Sequence, residues 1–413
     1  MEVPRNRVTI AEALAAMSAV PLRRARTVRV SVRDAIGRTL AGPIQAIEDV
    51  PPFSRSRVDG YAVIADDVAG ASQEKPATVR VVGEVAMGAA PPGPIARGQA
   101  MRISTGGALP PGADAAVMVE DTEESDRIAT VLDASDAESN ITRSGADVRR
   151  GDLLFDSATV LTPARVGMLA GAGIDMVDVY ERPRVGMLLT GDELVAPGDP
   201  IHPGEIRDIN RFSLAGALAT MGFEPVQYDR VPDIRTAFEA AFKRAIDECD
   251  AVVISGGSSA GERDFTPDVV QAAGPPGVIV HHVRAKPGRP TVLGAVGDKP
   301  VIGLPGNPVS ALVMLETLGK PILLRMLDRK PNDVPVRAIL SQTIDVSPTL
   351  EHRIPVALHR DDGEVRARPL FGTSAMMHIL AFADALVTVP LGVGRIDGGT
   401  SVDAWPLSAP PRP

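Results

Sequence analysis

From Arg182 to about Asp328 the apolar positions switch between two spacings. Short continuous runs at 185–189, 225–228, 251–255, 278–283 and 301–304 read as buried strands. Between them, 212–221, 234–248, 267–273 and 309–326 read as helices. In the second helix Ala237, Phe238, Ala241, Phe242 and Ala245 recur three and four residues apart, a stripe that packs on a sheet. Strands alternating with helices predict a parallel sheet covered on both faces, with ligands beyond the C-terminal strand ends. Outside this segment the pattern shortens. From Pro51 to about Asn140, short β runs such as Gly60-Tyr61-Ala62-Val63-Ile64 are separated by Gly/Pro turns, a compact β-rich module. A helix is expected at 9–17 with Thr9 as N-cap, and another at 161–172 starting near Thr162-Pro163 and ending at Gly173. After Lys330 the β runs return, among them Pro355-Val356-Ala357-Leu358 and Ala385-Leu386-Val387-Thr388-Val389.

A chain of 413 residues has room for about three domains, each with a sizeable core. Hydrophobic content of 44% and charged content of 23% place it among globular proteins. The 39 glycines and 37 prolines mean many turns, because the apolar periodicity persists around them. A net charge of −9 argues against nucleic-acid binding through bulk electrostatics but leaves room for an anionic ligand at a local site. With Cys249 as the sole cysteine, neither an intramolecular disulfide nor a CxxC metal site is possible, and its place at the end of an apolar run makes it a small core residue. There is no secretory signal pattern and no run of 18 apolar residues, so the expected compartment is the cytoplasm, with no membrane span.

The chemistry gathers at the ends of the predicted strands. Gly303-Leu304-Pro305-Gly306-Asn307-Pro308-Val309-Ser310 joins a strand to a helix, with Asn307 as N-cap, Pro308 at the first helical position, and Gly319 and Pro321 as the stop. Such a junction is a ready anion site. Thr190-Gly191-Asp192-Glu193-Leu194 places two adjacent acids at a strand end, where they are either solvated or hold a cation. Ser255-Gly256-Gly257-Ser258-Ser259-Ala260-Gly261-Glu262-Arg263-Asp264 lets backbone N–H groups face a phosphate, and leaves Asp264 free if Thr266-Pro267-Asp268 caps the next helix. Arg284-Ala285-Lys286-Pro287-Gly288-Arg289-Pro290, read as a fourth junction, sets cations on a stiff loop suited to a polyanion. Asp59-Gly60, Ser104-Thr105-Gly106 and Gly145-Ala146-Asp147 each read, in isolation, as turns. His281 and His282 sit in a strand pattern and receive no role.

Taken in order, these strings resemble the molybdopterin molybdenumtransferase family, which includes the gephyrin E domain. The resemblance rests on Pro51-Pro52-Phe53 with Asp59-Gly60-Tyr61-Ala62, on Arg102-Ile103-Ser104-Thr105-Gly106, on Thr190 to Leu194, on Gly256-Gly257 through Asp264, on Lys286-Pro287-Gly288 and on Leu304 through Ser310. It implies an elongated α/β multidomain chain. A linker domain would take 1–46 and 141–178, a β-rich inserted domain 47–140, a parallel α/β molybdopterin-binding domain 179–329 and a C-terminal β-barrel 330–413. It implies insertion of molybdenum from molybdate into adenylylated molybdopterin with release of AMP, aided by Mg²⁺. By motif, Glu193 and Asp264 would hold the cation and, with Asp59 and Asp147, form the catalytic set, the latter two reaching the cleft across a homodimer. Thr105, Asp192, Asp233, Gly256, Gly257, Ser258, Lys286, Arg289, Pro305, Asn307, Pro308, Ser310 and Ser374 would bind substrate. A molybdopterin adenylyltransferase and cofactor-receiving apoenzymes are the implied partners. The chain departs from the usual pattern at Ser258, Ala260 and Arg289, at Ala146, where an acid is usual, and at Pro355, which aligns loosely with a usual arginine. Two alternatives follow, a non-catalytic molybdopterin-binding paralogue and the sister adenylylation activity. The extra modules count against the second.

Overall fold

A computed structural model describes residues 7–256 and 265–407. The first helix, α1 (Ile10–Ser18), is closed by a capping box: Thr9 Oγ1 accepts from Glu12 N at 3.2 Å, and the Glu12 carboxylate accepts from Thr9 N at 2.8 Å. Two compact bodies follow from the packing. Residues 29–179 form one, and the described residues on either side of them form the other.

In the 29–179 body six strands make one sheet: β1 (Gly60–Val63), β2 (Ala77–Val85), β3 (Gln99–Ile103), β4 (Ala115–Met118), β5 (Thr122–Ser125) and β6 (Ile128–Val131). They lie in the order β4-β1-β3-β2-β6-β5, antiparallel except between β2 and β3. Its two faces bury separate clusters, Val63, Val79, Val117 and Val131 on one side and Ala62, Val85, Met101 and Ile103 on the other. A helix, α2 (Pro163–Gly171), begins at the Thr162 cap as its sequence predicts.

The other body carries the α/β sheet. Its strands are β7 (Arg184–Leu189), β8 (Glu224–Gln227), β9 (Ala251–Ser255), β10 (Pro276–His281), β11 (Val292–Val296) and β12 (Lys299–Leu304), and its helices are α3 (Asn210–Met221), α4 (Arg235–Glu248), α5 (Thr266–Ala272) and α6 (Pro308–Met314). The order is β8-β7-β9-β12-β11-β10. Strands β8, β7, β9 and β12 run parallel; the inner three, β7, β9 and β12, are almost wholly buried, as a sheet covered on both faces requires, while the edge strand β8 is not. Phe238, Phe242 and Ala245 of α4 pack with Leu188, Val252 and Ile254 in one core that also takes Cys249.

Three details depart from the sequence reading. The strand β11 was not anticipated, and it runs antiparallel to both β10 and β12, giving an otherwise parallel sheet an antiparallel edge. The segment 284–290 is consequently a strand-to-strand connection, not a strand-to-helix junction. Nor do Gly319 and Pro321 end the last helix. Leu315–Gly319 widens into a π turn, Lys320–Leu324 continues as α-helix, and the run stops at Asp328 with φ 57°. The wider turn relieves the helix of the N–H that Pro321 lacks. Gly319 serves packing, since a Cβ there would lie 2.7 Å from Leu315 Cδ1.

Beyond residue 330 five strands close on themselves: β13 (Val336–Leu340), β14 (Glu351–Asp361), β15 (Glu364–Pro369), β16 (Ala385–Val389) and β17 (Ser401–Pro406). The ring β14-β15-β13-β17-β16 is completed by pairing of β16 with β14, a barrel filled by Leu340, Val356, Ala367, Val387 and Ala404. One edge of β14 takes a further short strand, Ala285–Lys286, in parallel.

Candidate functional site

The C-terminal ends of β7, β9 and β12 are neighbours in the sheet, so the strings that follow them converge. They open into a cleft of about 1490 Å³, walled on the far side by the start of β14 and by the segment 370–375. Backbone pairing of Ala285-Lys286 with Glu351-His352 brings the basic loop to that wall. Gly288 is held at φ +107° over Met314, where a Cβ would lie 2.2 Å from Met314 Cγ, and Thr291 Oγ1 donates to its carbonyl at 2.6 Å. The loop is therefore tight, and it carries Lys286 and Arg289 to the cleft.

Hydrogen bonds tie the cleft floor together. Asn210 Nδ2 donates to Ser255 Oγ and to the Gly306 carbonyl, each at 2.8 Å, and Ser255 Oγ donates to the Pro305 carbonyl at 3.2 Å. Asn307 occupies the N-cap position of α6, yet its side chain does not cap; Nδ2 instead donates to Ser374 Oγ at 3.0 Å. With the bond from Val309 N to the Ser374 carbonyl at 3.0 Å, this fastens the β12–α6 turn to the far wall.

Glu193 is exposed and lines the cleft, its carboxylate folded back so that a Cβ on Gly191 would lie 2.9 Å from either oxygen. His352 is buried in the far wall. Its Nε2 donates to the Ser347 carbonyl at 3.1 Å, since a carbonyl can only accept. Burial holds this imidazole below the usual histidine range; the Ser347 bond opposes the shift and the charge of Lys286 adds to it. Arg353, the next residue, is fixed by Glu351 at 2.5 Å and Thr388 Oγ1 at 2.6 Å. Arg207 also lines the cleft and donates to the Ala196 carbonyl at 2.6 Å. Among the described residues no group of three or more His, Cys, Asp or Glu is placed to hold a metal ion.

Residues 8–173 match the family described as MoeA N-terminal region (domain I and II), 186–325 that of the "probable molybdopterin binding domain", and 337–407 the MoeA C-terminal region (domain IV). Molybdopterin molybdenumtransferase of Bacillus subtilis is 31% identical over 90% of this chain and 88% of its own length. Molybdopterin molybdenumtransferase 2 of Mycobacterium tuberculosis is 33% identical over 94% of this chain and 96% of its own. The chain belongs to the molybdopterin molybdenumtransferase family. A solved structure of the MoeA protein from Pyrococcus horikoshii superposes with a TM-score of 0.82 at 32% identity, covering 97% of this chain and 99% of that one.

Of the residues expected to serve a member of this family, Glu193, Asp233, Gly256, Lys286, Arg289, Pro305, Asn307, Pro308, Ser310 and Ser374 line the one cleft. Asp192 does not line it; its side chain is exposed beside the cleft while its carbonyl accepts from Arg230 Nη1 at 2.8 Å. Asp59, Thr105 and Asp147 belong to the 29–179 body, where Thr105 N donates to Asp59 Oδ1 at 2.8 Å. Gly257, Ser258 and Asp264 lie outside the described residues. The sequence reading missed Asn210, His352 and Arg353, and took Ser255 only as the start of the glycine-bearing string. Asn210 had a local signal, the polar run Arg207-Asp208 just ahead of an apolar periodic stretch. His352 and Arg353 had none, because only the closure of the barrel brings β14 to the cleft.

Proposed function

We propose that this chain transfers molybdenum from molybdate to adenylylated molybdopterin and releases AMP. The observation that carries the reading is the meeting, in one cleft, of three parallel-strand ends with the Lys286 and Arg289 loop and the Asn307–Ser374 wall. Two or more oxyanion groups fit such a place. Lys286 and Arg289, which make no ion pair among the described residues, supply positive charge to them, Lys286 as a compact cation and Arg289 as a planar fork. Ser374, whose hydroxyl oxygen accepts from Asn307 Nδ2, can donate its own proton beside them. During hydrolysis a water oxygen bonds to phosphorus, the phosphoanhydride P–O bond breaks, and AMP departs with the bridging or the new oxygen according to which phosphorus is attacked. The cleft's task is to hold the phosphates in line and to spread the developing charge over fixed donors.

The donor set suits Mg²⁺, which keeps several waters and needs only one or two protein carboxylates beside substrate phosphates. Glu193 is one of the carboxylates that line the cleft, and Asp264 is its proposed partner from the glycine-bearing loop. Bound there, the ion would neutralise phosphate charge. Asp59 and Asp147 are proposed to complete the set from the 29–179 body of a second copy in a homodimer. The reactions before and after are proposed to be an adenylyltransferase that makes the adenylated pterin and apoenzymes that accept the finished cofactor.

The test is AMP release from molybdopterin-adenylate by the purified protein, with and without molybdate and Mg²⁺. Release that needs both additions supports the reading. Tight binding without release favours the non-catalytic paralogue, which Ala146 and Pro355 motivate, and makes those two positions the next to revert.

A further inference from the structure

Aromatic side chains make up only 3% of this chain, and among the described residues Phe371 is the one Phe, Tyr or Trp that lines the cleft. It is 55% exposed there. Val346, Leu350, Pro355 and Leu370 line the same wall, so the far side of the cleft is apolar where the strand ends opposite are polar. An exposed ring among apolar neighbours in a concavity suits a flat ligand. The ring does not hang on a loose loop. Leu370 N donates to the Pro355 carbonyl at 2.9 Å, Gly372 lies so close to Ile379 that no Cβ fits between them, and Ser374 is tied to the turn before α6. Among the described residues Phe371 makes no ring contact of its own.

Strand β14 sets the spacing between this ring and the basic loop. One edge of β14 is taken by β16, which pairs with it from His352 to Val356. The other edge therefore receives both the strand Ala285–Lys286, paired at His352, and the chain leaving β15, paired at Val356 and held at Pro355 by Leu370. From His352 to Pro355 is three residues, about 10 Å along a strand. Lys286 and the base of Phe371 thus stand on one edge of one strand, at a spacing that a nucleotide spans from its phosphate to its base.

We propose that Phe371 is a substrate-binding residue, whose ring stacks on a planar heteroaromatic ring of the ligand while Lys286 and Arg289 hold an oxyanion of the same molecule. The proposal rests on the oxyanion-binding reading of the cleft given above. Adenine and the pterin are the two rings that the proposed substrate offers. Both present the flat π face that stacking on an aromatic side chain uses.

The experiment is calorimetric binding to the full chain, for the parent, Phe371→Ala, Phe371→Leu and Phe371→Trp. AMP and carboxypterin are the probes that carry a ring and an anionic group; ribose phosphate and molybdate carry the anion alone. The parent is expected to bind at least one ring probe about tenfold or more tighter than the ringless anions. Phe371→Ala and Phe371→Leu are expected to lose that margin while binding ribose phosphate and molybdate like the parent, since leucine keeps the apolar character and not the π face. Phe371→Trp is expected to keep the margin, and its added indole fluorescence to be quenched by the ring probe and not by ribose phosphate. Loss with AMP assigns the stacked ring to adenine, and loss with carboxypterin assigns it to the pterin. Should Phe371→Ala not fold, the leucine and tryptophan variants decide. Parent-like binding of both ring probes by Phe371→Ala or Phe371→Leu, or an equal loss of the ringless anions, overturns the proposal. A parent that binds the ringless anions and gains nothing from either ring overturns it too, and leaves the oxyanion reading standing. A parent that binds no anion at all defeats that reading and the proposal with it.

Discussion

Glu193 is the residue on which the proposed chemistry is most exposed to test. It stands at the end of β7, unburied, with its carboxylate over Gly191. Glu193→Gln removes the charge and keeps the volume, so turnover is expected to fall by about a hundredfold or more while the circular dichroism spectrum and unfolding midpoint stay put. Parent-like turnover would remove Glu193 from the site. His352 makes a second expectation at this scale. Its value in the folded protein lies below the ordinary one, so on acidification the unfolded chain takes up the proton first. Its neutral burial thus favours the fold above about pH 6.5 and ceases to do so as pH drops from there toward the lowered folded value. Urea midpoints measured at about pH 7.5 and about pH 5.5 should differ less in His352→Gln than in the parent, the half-buried and downward-shifted His282 being common to both. At this scale the sequence exposed what is local. Glu193, Lys286 and Asn307 sit in strings whose turn and charge chemistry can be read without a fold. Asn210 and His352 take their meaning from partners 45 and more residues away, or from a barrel wall, and no window along the chain contains that.

Among the elements, β1 shows how narrowly a strand can be specified. Asp59-Gly60 reads as a turn, and Gly60 does have φ +152°, but it opens the strand and pairs with both Ile103 and Met118. A Cβ there would lie 1.9 Å from the Val117 carbonyl oxygen. Gly60→Ala is expected to cost more than about 2 kcal/mol in urea unfolding of the 29–179 body, because both the backbone and its neighbour must move. A loss under about half a kcal/mol would mean the strand is looser than drawn. The parallel strands were legible because continuous burial leaves continuous apolar runs. Strand β11 was not, for its run is interrupted by Gly294, whose missing Cβ makes room for the Gly277 carbonyl of β10 at a prospective 2.5 Å. The last helix spans what its 309–326 pattern predicts, and only its stop was misplaced: Gly319 and Pro321 are stop signals only in an α-helical register, and a π turn changes the register beneath them.

For the whole molecule, the change from β-rich to α/β and back was readable because the period of apolar positions changes along the chain, and the three family matches fall in chain order. The proposed sharing of a cleft between copies makes a plain demand. Sedimentation at micromolar concentration should give a dimer, and a monomer would defeat the proposed sharing. Within the second body, the strand Ala285–Lys286 is annealed to β14, and Glu351 N donates to the Arg284 carbonyl at 2.9 Å. Lys286 and Arg289 thus come from one module, while the strand that Ala285–Lys286 pairs with comes from another. Descent would then treat the two as a linked pair. Exchange of the barrel between distant relatives would redraw the neighbouring module's charge without altering one of its codons.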